Sequence, residues 1–199
     1  MKRFPRPTLA VLALAFTIFV ASGAGASAQD ATPAPGVPSS APDGDRIAAG
    51  WAEINAFDLA TVSGYDSMVT DRFSTAGITY YGGPEGARAY VMVLTLDSER
   101  PQVRQAWVDA SSYLQNLGYK GRIDQAASEE ANAAPAPAAC DEARRVIVAP
   151  VDFAFTTAVT MCAVQDEAIV IAYASGSIDE RSGYRASDYL AELAADPVA

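Results

Sequence analysis

The stretch from Cys140 to Ala174 reads CDEARRVIVAPVDFAFTTAVTMCAVQDEAIVIAYA and decides the fold. It contains both cysteines of the chain and its densest runs of β-branched residues. Thr156–Val164 and Ala168–Ala174 are predicted strands, because such residues fit a pleated, half-buried surface. The three polar residues between the two runs are typical of a hairpin turn. We therefore predict a β-hairpin here, with the rest of the domain packed against it.

The amino-terminal segment has the three parts of a secretory signal peptide. The chain opens with basic residues, the run Leu9–Ala21 is apolar, and Ala26-Ser27-Ala28 has the A-x-A form of a cleavage site. A retained membrane anchor is the alternative, but a spanning helix needs about 20 apolar residues. We predict a signal peptide over residues 1–28, cleavage after Ala28, and a secreted or periplasmic product that is not inserted in the membrane.

The acidic charge restricts the classes of partner. Without residues 1–28 the chain has 11 basic and 24 acidic residues, a net charge of −13. Such a surface repels phosphate backbones and anionic lipid heads, so nucleic acid and acidic membranes are poor partners. Solubility after export is the simpler explanation of this charge, and a docking face for a basic partner is the alternative.

Cys140 and Cys162 are predicted to form a disulfide, as is usual for two cysteines in an exported chain. The bond would close a loop of about 20 residues and stabilise the fold by about 3 kcal/mol, mainly by restricting the unfolded chain. A redox pair is the alternative. The spacing is not C-x-x-C and no histidine can lower a thiol pKa, so we interpret the bond as structural.

Composition predicts the domain boundaries. Residues 29–44 are rich in Pro, Ala, Ser and Gly and indicate a disordered linker. Residues 45–199 are predicted to form a single α+β domain. Within it, residues 125–139 read QAASEEANAAPAPAA, which we interpret as an exposed low-complexity loop.

The first half of this domain contains four predicted elements. Asp45–Gly64 fits either a helix or an extended entry into the sheet, with Trp51 buried in both cases. Ser67–Thr75 and Ile78–Tyr81 are short strand candidates. Ala87–Leu96 is apolar on both faces, which predicts a central strand.

A helix is predicted after this central strand. Ser98 is a candidate N-cap and Gly118 a candidate C′ residue. Between them, five apolar residues recur at helical spacing: Val103, Trp107, Ala110, Leu114 and Leu117.

The fold class that follows is α+β. We expect an antiparallel sheet of about five strands, with this main helix packed on one face and a short C-terminal helix over Ser187–Ala195. Strand, turn, strand and helix succeed each other over residues 78–117 and again over residues 156–195. This order suggests a ββα pseudo-repeat, although two ordinary antiparallel units would explain it equally well.

The chain contains no histidine, and this absence restricts its possible chemistry more specifically than any other feature of the sequence. It excludes Ser-His-Asp and Cys-His catalysis, histidine-ligated zinc, and haem or copper held by imidazole. Paired carboxylates could still hydrolyse a glycosidic bond. The candidate pairs lie in predicted loops or beside turns: Asp66 with Asp71, Glu129-Glu130, Asp141-Glu142, Asp166-Glu167 and Asp179-Glu180. We predict no catalytic residue, no metal and no cofactor.

Aromatic residues around a glycine-rich turn provide the candidate ligand-binding residues, Tyr80, Tyr81 and Tyr90. Consecutive residues of a strand face opposite sides, so one of Tyr80 and Tyr81 should be exposed. Exposed tyrosines on an acidic surface suit a protein or saccharide partner. Partial burial with the hydroxyl in water is the simpler alternative.

Three functions remain open at this point. The first is an exported, extracytoplasmic, non-catalytic binding or accessory domain. The second is a carboxylate-based hydrolase that acts on cell-envelope polymers. The third is a structural exported protein without a specific ligand.

Overall fold

The structure is a computed structural model that describes residues 41–59, 73–96, 123–149, 157–165 and 167–195. These residues form one antiparallel six-stranded sheet and three α-helices, an α+β fold as predicted. The strands are β1 (Ala52–Asp58), β2 (Phe73–Gly82), β3 (Arg88–Leu96), β4 (Glu142–Val148), β5 (Thr157–Val164) and β6 (Ala168–Ser175). The helices are α1 (Gly44–Ile47), α2 (Gln125–Ala133) and α3 (Tyr184–Ala195).

The strand order across the sheet is β1-β2-β3-β6-β5-β4. Strands β1, β2 and β3 pair in sequence order, and so do β4, β5 and β6. The two sets of three meet where β3 pairs with β6. The sheet has six strands rather than about five because Ala52–Asp58 forms an edge strand. The helix of the first predicted ββα unit lies outside the described residues, so the pseudo-repeat stays a prediction.

The central strand β3 is apolar on both faces, as its sequence indicates. Val91 and Val93 belong to one buried cluster, and Met92 and Leu94 belong to another on the opposite side. Alternate residues of a strand point to opposite faces, so the two clusters lie on the two faces of the sheet. The core of the protein is therefore divided by the sheet into two layers.

Helix α3 covers the first of these faces, which we call the α3 face. Its buried residues include Ala186, Leu190, Ala191 and Ala194, which recur at helical spacing. They belong to the same cluster as Val91 and Val93 of β3. The alanines let the helix backbone approach the strands closely, because their side chains are small.

The opposite face carries the larger apolar side chains. Ile169 and Ile171 of β6 and Met161 of β5 are fully buried there, beside Met92. The predicted helix between Ser98 and Gly118 lies outside the described residues, so its packing stays a prediction.

The predicted disulfide is present. Cys140 precedes β4 and Cys162 lies in β5, with their Cα atoms 5.4 Å apart. Both residues are buried on the α3 face. The bond therefore fixes the start of β4 to a strand that belongs to the core.

The segment before β1 folds back on the sheet. Trp51 is buried, as predicted, and its indole lies against the turn that joins β2 to β3. A Cβ atom at Gly83 would come within 2.5 Å of that indole, so this close approach requires glycine. The turn itself is a short 3-10 helix over Pro84–Gly86. Pro42, which the sequence analysis assigns to the linker, is also buried.

Two predictions about secondary structure are wrong. The strand β2 is one continuous element over Phe73–Gly82, whereas the sequence analysis divided this region at Ala76-Gly77. Gly77 stays in the ladder because it pairs with both Asp58 and Val93. Pairing on both sides therefore offsets its low strand propensity.

The exposed loop predicted over residues 125–139 is instead helical at its beginning. Helix α2 occupies Gln125–Ala133, and the Ala127 N–H donates to Asp124 Oδ1 at 3.0 Å. Asp124 is thus a helix N-cap, and the alanines and glutamates after it are good helix formers. Ala131 is buried against Ile147 and Ala158, so the helix also packs against the sheet.

Among the described residues, every helix is too short or too polar to cross a bilayer. The predicted signal peptide and most of the predicted linker lie outside the described residues.

Candidate binding surface

The structure separates the three predicted ligand-binding tyrosines. Tyr80 and Tyr90 are direct partners in the β2–β3 ladder, and their ring centroids are 5.7 Å apart. Tyr81 points to the α3 face and is fully buried. The expectation that one of Tyr80 and Tyr81 is exposed is met by Tyr80, whose exposed fraction is 38%.

Tyr81 is a core residue that anchors the chain before β1. Its hydroxyl donates to the Pro42 carbonyl at 2.7 Å. Burial raises the pKa of this hydroxyl above its usual range, and the carboxylates of Glu53 and Asp43 add to the rise. Tyr81 is therefore neutral and inaccessible, and we leave it out of the candidate surface.

Tyr80 and Tyr90 belong to a row of four aromatic rings, which we call the aromatic row: Phe57, Tyr80, Tyr90 and Tyr173. The row crosses β1, β2, β3 and β6 on the face opposite α3. Phe57 and Tyr80 meet edge to face at 6.0 Å, and Tyr90 and Tyr173 stack in parallel at 4.8 Å. Such pairs stabilise neighbouring strands beyond the area that they bury.

From Tyr90 toward β1, the exposure of the rings in the aromatic row increases. Tyr90 is 9% exposed, whereas Phe57 is 39% exposed. Ile54, also on β1, is 58% exposed. Its Cδ1 atom lies 3.0 Å from the position of a Cβ at Gly82, which places it on the same face as Tyr80. Ile54, Phe57 and Tyr80 together form what we call the β1 patch.

The β1 patch contains all the large hydrophobic side chains that are exposed among the described residues. Of these residues only Tyr80 was predicted from the sequence; Ile54 and Phe57 were not, because the pattern of Asp45–Gly64 fits both a helix and an extended segment. Apolar residues that are exposed on an edge strand cannot be recognised before the sheet order is known.

A cluster of polar side chains is buried between α3 and the strands β4 and β5. Arg145 on β4 is 2% exposed, and its Nε donates to both oxygens of Asp188 at 2.8 and 3.0 Å. Asp188 Oδ1 also accepts from Thr160 Oγ1 at 2.7 Å, and Thr160 Oγ1 lies 2.8 Å from Ser187 Oγ. These hydrogen bonds join β4, β5 and α3.

The remaining donors of Arg145 bind the end of α2. Nη1 donates to the carbonyls of Ala131 and Ala134 at 2.9 and 3.1 Å, and Nη2 donates to Pro135 at 2.7 Å. These carbonyls lie at the carboxyl end of the helix, where a cation is favoured. The guanidinium and carboxylate are thus used within the fold, and we interpret the cluster as structural.

The acidic pairs that the structure describes are solvent-exposed. Glu129-Glu130, Asp141-Glu142 and Asp179-Glu180 all lie at the surface. Asp66, Asp71 and Asp166 lie outside the described residues. A catalytic carboxylate pair needs one member in an apolar environment to raise its pKa. Among the described residues, no three His, Cys, Asp or Glu side chains are grouped so that they could hold a metal ion.

Comparison with known proteins gives no family for this chain. No protein-family model matches it, and no curated protein or solved structure matches it.

Proposed function

We propose that this chain is an exported, extracytoplasmic, non-catalytic binding domain that recognises a protein partner through the β1 patch. The observation that carries the proposal is the concentration of exposed Ile54, Phe57 and Tyr80 on one face of the edge strand β1 and its neighbour β2. Contiguous apolar surface with tyrosine at its centre is typical of protein interaction sites.

The other two rings of the aromatic row, Tyr90 and Tyr173, hold Tyr80 of the β1 patch in position. Tyr90 contacts Tyr80 on one side and is stacked on Tyr173 on the other. Tyr80 therefore rests against a ring that is itself fixed by the sheet. A rigid anchor loses little conformational entropy on binding, which favours affinity.

The same geometry favours a protein over a saccharide. A sugar stacks on the open face of an aromatic ring, but Tyr90 and Tyr173 cover each other's faces with an interplanar angle of 5°. Phe57 and Tyr80 meet edge to face, so they do not form one flat platform. An uneven apolar patch of this kind suits side chains of a protein partner.

Export is part of the proposal and is supported by two features. The basic, apolar and A-x-A segments at residues 1–28 are those of a signal peptide. The buried Cys140–Cys162 disulfide is compatible with an oxidising compartment. We place the product in the periplasm or the extracellular medium.

The described residues lend no support to the alternative of a carboxylate-based hydrolase. Its described candidate pairs are exposed, and Asp188, which belongs to α3, is already paired with Arg145. The third alternative, a structural exported protein without a ligand, makes a different prediction: changes in the β1 patch should then affect the binding of no partner.

The proposal can be tested by replacing Phe57 and Tyr80 together with serine in the mature protein. We expect chemical crosslinking in the native compartment to capture a defined set of proteins, and the double variant to lose at least about nine-tenths of it. Glu130→Ser, an exposed change on α2, is the matched control and should retain the set. Capture that is equal for all three proteins would contradict the proposal. Loss of a captured polysaccharide instead would keep the β1 patch as the site and overturn the protein partner.

A further inference from the structure

The charged residues of β1, β2 and β3 lie on different faces of the sheet, and they are Glu53, Asp58 and Arg88. The strand register assigns each one to a face, because paired residues of neighbouring strands point to the same side. Glu53 pairs with Tyr81, which is buried on the α3 face. Asp58 pairs with Gly77, an even number of residues before Tyr81 in β2, and so belongs to the same face. The β1 patch lies on the other face.

Arg88 is the charged residue on the face of the β1 patch. It pairs with Gly82, which follows Tyr80 by two residues in β2. A Cβ atom at Gly82 would lie 3.0 Å from Ile54 Cδ1 and 3.2 Å from Arg88 Nη1. The guanidinium and the Ile54 side chain therefore lie side by side over the Gly82 backbone. Arg88 thus adds a positive charge to one end of the β1 patch.

The guanidinium of Arg88 is exposed and its described contact is weak. Nη1 donates to the Ala87 carbonyl at 3.5 Å, which is long for a hydrogen bond. Within the part of the chain that the structure describes, no carboxylate forms an ion pair with Arg88. A planar guanidinium can hold a carboxylate through two parallel hydrogen bonds. Arg88 can therefore bind a carboxylate that a partner supplies.

The net charge of the chain, −10, limits how many acids such a partner can carry. A strongly acidic partner would be repelled by the surface as a whole. At physiological ionic strength, exposed charges more than about 8 Å apart are largely screened, whereas two charges in contact are not. One carboxylate on Arg88 therefore gains a contact pair and adds little repulsion. Further acids would add repulsion without a second cation in β1, β2 or β3 to offset it.

The position of Arg88 also fixes where the carboxylate must lie in the partner. Phe57 pairs with Ile78, which precedes Gly82 by four residues in β2. At the usual rise of a strand, Arg88 and Phe57 are thus separated by about 13 Å along the strands. A partner that covers both needs apolar side chains over this length and its carboxylate at one end. An α-helix of about nine residues spans this distance.

We infer that Arg88 and the β1 patch form one site, which selects a protein segment that has a row of apolar side chains and a single aspartate or glutamate at one end of the row. This inference rests on the proposed function and adds the chemistry of the partner. Arginine and tyrosine are the residue types, besides tryptophan, that most often dominate the binding energy of protein interfaces. The apolar contact would give affinity, and the carboxylate on Arg88 would fix the orientation of the segment.

The probe is a peptide of about twelve residues with blocked ends, held helical by a hydrocarbon staple on its outer side. It has three leucines at helical spacing, one glutamate a turn before the first leucine, and alanine and glutamine elsewhere. Its backbone groups are bonded within the helix, so it cannot pair with a strand edge. Two control peptides have glutamine or lysine in place of the glutamate.

Fluorescence anisotropy of the dye-labelled peptides with the mature protein measures the selection. We expect the glutamate peptide to bind, and the glutamine peptide to bind about tenfold more weakly through loss of the charge-assisted hydrogen bonds. The lysine peptide should bind more weakly still, because its ammonium would face the guanidinium.

Changes at Arg88 show whether the contact is direct. Arg88→Gln should abolish the preference for glutamate over glutamine. Arg88→Glu should reverse the selection, so that the lysine peptide binds about tenfold more tightly than the glutamate peptide. The matched control is Arg144→Gln on β4, an exposed arginine on the same face because it pairs with Met161. It should leave all three affinities unchanged. A purely structural role of Arg88 would not reverse the selection.

The outcomes distinguish this inference from the proposed function. If the glutamate and glutamine peptides bind equally, if the lysine peptide binds best to the unchanged protein, or if no peptide binds, selection of a carboxylate by Arg88 is overturned. In each case, loss of crosslinked partners on changing Phe57 and Tyr80 would still support the proposed function. If changing those two residues affects neither the glutamate peptide nor the crosslinked partners, both proposals fall.

Discussion

Arg145 and Asp188 form an ion pair in which Nε and Oδ1 are 2.8 Å apart, with the arginine side chain 2% exposed and the aspartate side chain 17% exposed. The pair joins β4 to α3, and the same guanidinium holds the last carbonyls of α2. One side chain thus connects β4 both to the neighbouring helix α2 and to α3, which lies about forty residues later.

Removing the carboxylate charge at position 188 should destabilise the protein strongly. In Asp188→Asn the Arg145 charge stays buried without a counter-ion, a change that costs about 3 kcal/mol in comparable pairs. Urea unfolding of the mature protein would measure this as a lower free energy of unfolding. The matched control is Asp179→Asn, because the Asp179–Arg181 pair is exposed. That change should cost no more than about 0.5 kcal/mol, and equal losses in the two variants would contradict the structural role of Arg145 and Asp188.

The disulfide gives a second stability prediction. Replacing both Cys140 and Cys162 with alanine should lower the free energy of unfolding by about 3 kcal/mol, mainly because the unfolded chain is no longer restricted. Cys162 is fully buried, so a reducing agent should react with the native protein only after local opening. Mass spectrometry of unreduced peptides should show Cys140 linked to Cys162, and free thiols in the native protein would overturn the assignment.

Helix α2 covers the outer edge of β4, because Ser128 Oγ accepts from the Ile147 N–H at 2.9 Å and Asn132 binds the Arg145 N–H and carbonyl, both at 2.7 Å. This protection can be tested at Ser128. In Ser128→Ala the Ile147 N–H loses its buried acceptor, which should cost about 1–3 kcal/mol. The opened β4 edge should also increase self-association at high protein concentration, measurable by light scattering. Glu129→Ala, an exposed change on the same helix, is the control and should alter neither property. An unchanged stability of the Ser128 variant would show that α2 does not close this edge.

Tyr81 gives a prediction about alkaline pH. Its folded pKa is raised, so the neutral hydroxyl contributes stability below the unfolded pKa of about 10, and this contribution is lost as pH rises toward the folded pKa. Near neutral pH, Tyr81→Phe should cost about 1 kcal/mol through loss of the hydrogen bond to Pro42. Above about pH 10 the difference between the two proteins should shrink and then reverse. A difference that is constant with pH would contradict the raised pKa.

The elements predicted correctly are those whose own residues indicate both the type of secondary structure and which faces are buried. The hairpin of β5 and β6 followed from β-branched runs around a polar turn, and β3 was placed centrally because both of its faces are apolar. Cys140 and Cys162 followed from the predicted compartment.

Elements stabilised mainly by their tertiary partners were missed. Helix α2 was predicted as part of a low-complexity loop because Pro135 and Pro137 follow it closely, although the Asp124 N-cap and the alanines and glutamates after it favour a helix. Arg145 lies in a charged pair of residues, and nothing local indicates that Asp188, more than forty residues later, neutralises it. The β1 patch depends on the sheet order, which places β1 at an edge.

The restraints that hold the described fold are unevenly distributed. The disulfide and the Arg145–Asp188 pair both lie in the carboxyl-terminal half, whereas β1 is held by pairing with β2 and by the Tyr81–Pro42 hydrogen bond. Local opening is easiest where such restraints are few, so amide hydrogens of β1 should exchange with solvent sooner than those of β5 and β6. The strand proposed to receive a partner would then be the most adaptable part of the sheet, while the crosslinked half keeps its shape during encounter and release.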